Sequence, residues 1–288
     1  MKAPSFRYAR PSTLDAAFRL LETYGDGAVP LAGGQSLLAT LAMRLSTPEL
    51  LVDLGDLTEL AGISVEDGDV VIGALTRHAD VLASPVVHEH LPLIAEAVRH
   101  VGHVAIRNRG TLGGSLAYAD PAAELPACAV ALGATFVLGS PRGRRTVGAE
   151  DFFVGLQRTA LQPAELILQA RIPVQPRDGV YAFAELSRRR GDFAIAGLAA
   201  LASLAAQRVT AARLVYFGCT DRAKVAREVS AALVGRTLPL DPADDLAETL
   251  ARDLDPTDSP GIRASTKLQL AGVLTRRALD RMGHRPSP

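Results

Sequence analysis

The sequence predicts an α+β protein in two parts: an N-terminal domain over residues 1–175, with subdomains of about 1–56 and 57–175, and a smaller C-terminal domain of one sheet covered by helices over 177–288. Three observations carry this. Helical and strand-like patterns alternate through the first half. Two prolines within four residues, Pro173 and Pro176, mark a linker. Three strand-like segments then follow one another. A chain of 288 residues accommodates one large domain or two ordinary ones and buries a core without disulfide or metal staples.

From the N-terminus, Pro11-Ser12-Thr13 opens a helix whose Leu14, Ala17, Phe18 and Leu21 share one face, and Gly25 stops it. A short apolar strand over 29–32 leads into Gly33-Gly34-Gln35-Ser36 and a helix reaching Leu45. Thr47-Pro48 breaks that helix before a strand over 50–54. Segments 63–65 and 70–72 flank Glu66-Asp67-Gly68-Asp69, a hairpin signal because Asp-Gly accepts the positive φ values of a tight turn. Thr76 is placed to cap a short helix. Residues 88–101 read as one helix, and Pro121 begins another reaching about Leu132. Segments 134–138 and 145–147 pair around 140–143, and 166–172 is a further strand. After the linker, 181–186, 194–204 and 214–218 read as strands of one sheet, although the Ala-rich middle segment leaves helix open. Residues 223–233 and 262–282 read as helices, with 241–250 a further candidate.

Composition excludes several function classes. Lys plus Arg equals Asp plus Glu at 31 each, without the basic excess of a nucleic-acid binder. The longest apolar stretch, 194–206, is too short to span a bilayer and contains Gly197 and Ser203. The N-terminus lacks the apolar run of a signal peptide, so a cytoplasmic location is expected. Cys128 and Cys219 stand alone, and an ordinary iron–sulfur cluster takes four thiolates, so this chain does not build one by itself.

Two glycine-rich turns carry the candidate chemistry. The first, Ala32-Gly33-Gly34-Gln35-Ser36, joins a strand to a helix. Paired glycines permit positive φ and close approach of a ligand to the main chain. Successive N–H groups in such a turn make an anion cradle, and a helix N-terminus adds to it. No Lys or Arg lies in the turn, so a diphosphate there is held by amides and hydroxyls. A tight strand–helix turn without a ligand explains the same residues equally well. The second turn, Thr111-Leu112-Gly113-Gly114-Ser115, repeats the grammar. Two such turns suit a ligand with a diphosphate and a long body. Neither is Gly-x-Gly-x-x-Gly or a Walker loop.

The ordered pair, Ala-Gly-Gly-Gln-Ser at 32–36 and Arg-Asn-Arg-Gly-Thr-Leu-Gly-Gly-Ser-Leu-Ala at 107–117, resembles the FAD-binding medium subunit of the molybdenum hydroxylases, the family of xanthine dehydrogenase and aerobic carbon monoxide dehydrogenase. The segments 119–126, 187–194 and 262–265 extend the resemblance over nearly the whole chain. It implies a two-part FAD-binding domain of the PCMH type followed by a C-terminal flavoprotein domain. It also implies that Ala32, Gly33, Gly34, Gln35 and Ser36 wrap the FAD diphosphate, with Thr111, Gly113, Gly114 and Ser115 on the other side and Gly102 and Gly110 close by. Relatives commonly carry Asn where Ser115 stands, so one hydrogen bond differs. Glu124 matches an acidic position that contacts the flavin, although a surface carboxylate in a helix's first turn fits as well. Ile167 or Leu168 would pack on the isoalloxazine ring, although an ordinary core strand explains either residue as well, and Phe193 matches an aromatic position beside the ring, although a core anchor fits it too. The basic run Arg188-Arg189-Arg190 reads as a solvated face or a surface for a partner subunit.

The resemblance further implies the partners: a small subunit with two [2Fe–2S] clusters and a large molybdopterin subunit, assembled as a dimer of heterotrimers. The clusters pass single electrons to FAD, which delivers pairs to an acceptor such as a quinone, oxygen or NAD. A stand-alone FAD-dependent oxidoreductase of related fold and a non-catalytic nucleotide-binding module are the competing readings. His88-Glu89-His90 and His100-x-x-His103 lack the spacing and third ligand of a metal site, and no Gly-x-Ser-x-Gly elbow is present.

Overall fold

The protein was analysed as a computed structural model that describes residues 2–176, 179–241 and 246–284. The N-terminal unit is a small parallel sheet with strands β1 (Arg7–Ala9), β2 (Ala28–Leu31) and β3 (Leu50–Asp53) in the order β1-β3-β2. Parallel strands require crossovers. Helix α1 (Leu14–Tyr24) makes the first crossover and buries Ala17, Phe18 and Leu21. Thr13 caps it by accepting from the Ala16 N–H. The second crossover, α2 (Leu37–Ala42), ends three residues short of the expected Leu45.

A five-stranded antiparallel sheet follows, built from β4 (Ile63–Glu66), β5 (Asp69–Gly73), β6 (Thr135–Ser140), β7 (Gly143–Gly148) and β10 (Leu166–Pro173), in the order β4-β5-β10-β6-β7. The β4–β5 hairpin turns at Asp67 and Gly68, both at positive φ, as the Asp-Gly signal requires. Between β5 and β6 lie six short helices: α3 (His78–Ala83), α4 (Pro85–His90), α5 (Pro92–Ala97), α6 (Val104–Arg107), α7 (Leu112–Tyr118) and α8 (Glu124–Ala131). After β7 come α9 (Ala149–Phe152) and a two-stranded ribbon, β8 (Phe153–Gly155) and β9 (Arg158–Thr159).

The C-terminal unit is a four-stranded antiparallel sheet, β11 (Gly179–Ser187), β12 (Ala194–Ala205), β13 (Arg208–Phe217) and β14 (Lys224–Val225). Helices α10 (Arg227–Leu233), α11 (Ala247–Asp253) and α12 (Ala264–Gly283) complete it. Part of the 241–250 helix candidate, residues 242–245, lies outside the described residues. Period-two alternation assigns the sheet's two faces. Ala182, Leu198, Leu214 and Tyr216 pack toward α10 and α12. Phe183, Ala199, Val215 and Phe217 join the core of the five-stranded sheet and its helices. The C-terminal sheet is thus buried on both faces.

Several sequence expectations are corrected. Residues 88–101 are not one helix: Pro92 disfavours helical geometry at Leu91, which separates α4 from α5. Thr76 caps nothing; its hydroxyl donates to the Gly62 carbonyl and accepts from the Gly62 N–H, tying two loops together. Helix α8 starts at Glu124 rather than Pro121, because the Asp120 carboxylate accepts from the Ala122 N–H and holds the intervening residues in a turn. Lys224–Val225 form the edge strand β14, and the helix expected from 223 begins only at Arg227. Pro173 is the last residue of β10 rather than linker.

Candidate functional site

The two glycine segments meet. A Cβ on Gly33 would collide with the Arg109 carbonyl and stand 2.7 Å from the Gly110 Cα. Contact between the two segments is thus enough by itself to require glycine at 33. Gly34 is held at φ +73, a left-handed conformation that favours glycine. Among the described residues, the N–H groups of Gly33, Gly34, Gln35 and Ser36 donate to no protein acceptor. The Gln35 amide instead folds back to donate to the Gly33 carbonyl at 3.1 Å. The first turn is thus a run of unengaged main-chain donors, the arrangement that binds an anion.

The second segment differs from the expected turn. It is the start of α7, and its amides are already engaged. Leu112 N–H donates to Thr76 O at 3.0 Å, Gly113 N–H to Ala74 O at 2.8 Å and Ser115 N–H to Thr111 O at 3.1 Å. The Thr111 hydroxyl caps the helix by accepting from Gly114 N–H at 3.1 Å. This wall therefore offers hydroxyls, from Thr111 and Ser115, rather than a second set of free amides.

Both segments line one cavity of about 1070 Å³ that extends from β2 and α2 to the C-terminal sheet. Of the sequence-predicted site residues, Ala32, Gly33, Gly34, Gln35, Ser36, Gly102, Gly110, Thr111, Gly113, Gly114, Ser115, Glu124, Ile167 and Phe193 line it. Leu168 does not. Successive strand residues face opposite sides, and Leu168 packs with Phe18 and Leu166 in the core around α1. Ile167 alone of the pair reaches the cavity. Phe193 stands at the mouth, 65% exposed.

The cavity lining also carries acidic, desolvated groups. Burial pushes the Glu124 carboxyl up to about 7, with Glu185 adding to the shift and His100 opposing it. Burial also raises Asp120. In contrast, Glu165, on the same cavity, is held below its ordinary value by Arg145, which donates to both carboxylate oxygens at 2.7 Å. His78 sits beneath the second segment. Its two ring nitrogens are buried without a hydrogen-bond partner, and burial lowers it to about 4, so the imidazole is neutral.

Sequence reasoning did not find His78, Tyr118 or Lys267 on this cavity. No local signal marks them: each lies in an ordinary helical pattern. Asp120, Asp192 and Ile262 fell inside segments that carried the resemblance without a role. Arg188, Arg189 and Arg190 are all exposed, but Arg188 alone of the three lines the cavity, and it donates to the Pro260 carbonyl at 3.2 Å. Of the histidines considered for metal, His88 bonds the Leu82 carbonyl and His100 pairs with Glu185 at 3.2 Å. Among the described residues, no group of three or more His, Cys, Asp and Glu side chains is placed for a metal, and no helix is long and apolar enough to cross a membrane.

Residues 4–175 match the family described as "FAD binding domain in molybdopterin dehydrogenase", and residues 181–282 the "CO dehydrogenase flavoprotein C-terminal domain". The chain belongs to the FAD-binding medium subunits of the molybdenum hydroxylases. The nicotine 6-hydroxylase medium subunit of Paenarthrobacter nicotinovorans is 38% identical over 99% of this chain and 100% of its own. The carbon monoxide dehydrogenase medium chain of Afipia carboxidovorans is 38% identical over 96% of each. Among solved structures, carbon monoxide dehydrogenase from Hydrogenophaga pseudoflava superposes with a TM-score of 0.94 at 36% identity, covering 98% of both chains. Quinoline 2-oxidoreductase from Pseudomonas putida 86 gives 0.90 at 35% identity, again over 98% of both. The two-part PCMH-type fold and the oxidoreductase-subunit assignment rest on these matches. The residues present fit FAD, since one cavity is lined by unengaged amides, by hydroxyls, by apolar strand residues and by a largely desolvated carboxyl.

Proposed function

We propose that this chain holds one FAD in the cavity and serves as the electron-output subunit of a molybdenum hydroxylase. The observation that carries the reading is the run of unengaged amides at 33–36 on the wall of a cavity of about 1070 Å³, a volume that accommodates a dinucleotide. In this reading Gly33 to Ser36 hold the diphosphate, Thr111 and Ser115 bind from α7, and Gly102, Gly110, Gly113 and Gly114 shape the wall. Ile167 packs on the isoalloxazine ring, Glu124 meets its polar edge, and Phe193 covers its exposed side. Residues 1–175 form the FAD-binding domain and 177–288 the C-terminal domain that closes the flavin end.

When bound, FAD supplies the conversion of single-electron input into two-electron output. This chain's residues bind it, orient it and exclude water. Glu124, whose carboxyl burial pushes up to about 7, would reach the ring protonated at mildly acidic pH and could then offer it a hydrogen bond in place of a negative charge. Electrons come from the [2Fe–2S] clusters of a small partner subunit, and a large subunit carries molybdopterin; the assembly is a cytoplasmic dimer of heterotrimers. The relatives' names, "medium subunit" and "medium chain", support the division of labour. Isolation of the native assembly tests it. Iron, acid-labile sulfide and molybdenum stoichiometric with FAD are expected. Rapid reduction of the isolated chain by a small organic substrate, with no partner present, would point instead to a stand-alone flavoenzyme.

A further inference from the structure

Lys267 lies in the first turn of α12, is 7% exposed, and lines the cavity at the C-terminal-sheet end together with Ile167, Phe193 and Gly218. Two features of its placement are costly. Holding a lysine stem in the protein interior with no counter-charge for its ammonium is unfavourable, yet no carboxylate among the described residues lies within 4.0 Å of it, and the ammonium itself is not sealed in the core. A cation in the first turn of a 20-residue helix also opposes the helix dipole. The nearby Cys219 thiol does not neutralise it, because burial pushes that thiol up to about 11 and keeps it uncharged. The charged groups that act on Glu124 are Glu185, His100 and Asp120, so the acidic cluster is not its partner either. What remains to satisfy Lys267 is whatever occupies the cavity.

We propose that Lys267 is the cationic partner of the flavin's pyrimidine end and sets the flavin's reduction potential. The inference rests on the FAD reading above. With the diphosphate at Gly33 to Ser36, the isoalloxazine would reach toward the residues that the C-terminal unit contributes to the cavity, Lys267 among them. Two electrons and one proton convert oxidised flavin to its anionic reduced form, whose negative charge is spread over N1 and the C2 carbonyl. An ammonium beside that edge, inside a cavity whose bound ligand displaces bulk water, stabilises the charge more than in water and so favours the reduced form. The remaining cavity-lining cation at this end, Arg188, is exposed and already engaged with a carbonyl.

The test uses the full-length FAD-loaded chain, with Lys267→Met to remove the charge at similar volume and Lys267→Arg to keep it. Sulfite binding is the first readout. Sulfite's lone pair forms a bond to N5 and drives negative charge onto the N1–C2 carbonyl region, and bleaching of the visible flavin absorption reports it. Lys267→Met is expected to retain stoichiometric FAD and lose at least about tenfold in sulfite affinity. Its midpoint potential in dithionite titration should fall by about 30 mV for each tenfold loss in preference for the reduced form. Lys267→Arg should keep most of both. Lys267→Met with full FAD, unchanged sulfite affinity and unchanged potential would overturn the proposal. Should that variant fail to fold, Lys267→Gln carries the same comparison with the same two outcomes. A folded wild-type chain that takes up no FAD would instead sink the cofactor reading, a result distinct from any change between variants.

Discussion

Single residues at this site answer to different neighbours than their types suggest. Gly33 was legible as a residue the site needs, but a further reason was not: its missing side chain makes room for the Arg109–Gly110 backbone, a contact 76 to 77 positions away in sequence that no local pattern reveals. Gly33→Val should therefore damage the protein as well as the ligand site. A loss of about 1–3 kcal/mol in unfolding free energy is expected from overpacking, together with at least a tenfold loss in FAD affinity. Denaturant titration and fluorescence binding read the two effects. Glu124 was legible as an acidic position, while its burial required the C-terminal sheet to be in place. Between the ordinary 4.5 and about 7, the folded chain keeps this proton and the unfolded chain has lost it. Its contribution to stability is thus fully present below the lower value and is lost as pH rises through the upper one. Thermal melts of the FAD-free chain should show this decline, and Glu124→Gln should flatten it.

At the scale of elements, strands and helices were read best where one face alone is buried. The β4–β5 hairpin and α1 matched their patterns. The Ala-rich β12 left helix open because its two faces both pack, one on α10 and α12 and one on the five-stranded sheet's core, so no alternation shows in the sequence. The 88–101 stretch has helical spacing throughout, and only Pro92 reveals the break. The second glycine segment was read as a turn by analogy with the first, but Thr111 N-caps a helix there. Thr111→Ala removes that cap, which costs about 1 kcal/mol, and also removes a cavity hydroxyl. Equilibrium unfolding should show the first loss and weaker FAD binding the second, whereas Thr111→Ser should retain most of both.

At the scale of the whole molecule, the two parts are locked by more than the chain linking them. Arg281 of α12 donates to the Glu96 carboxylate of α5 at 2.9 Å and to the Phe183 carbonyl of β11, while Glu96 accepts from the Phe183 N–H at 3.3 Å. Beneath this clamp, Phe183 and Phe217 stack at 5.6 Å and belong to the same core as the helices of the first part. Such sharing predicts a single unfolding transition for the FAD-free chain. Glu96→Ala should lower its stability by about 1–2 kcal/mol without splitting the transition, as calorimetry would show. The central claim is that unengaged amides at Gly33 to Ser36 grip the diphosphate of a dinucleotide whose ring lies at the far end of the cavity. Side-by-side affinities of the purified chain for FAD, FMN and riboflavin test it most directly. FAD bound far more tightly than FMN, with riboflavin weakest, is the predicted order; equal affinity for all three would contradict it.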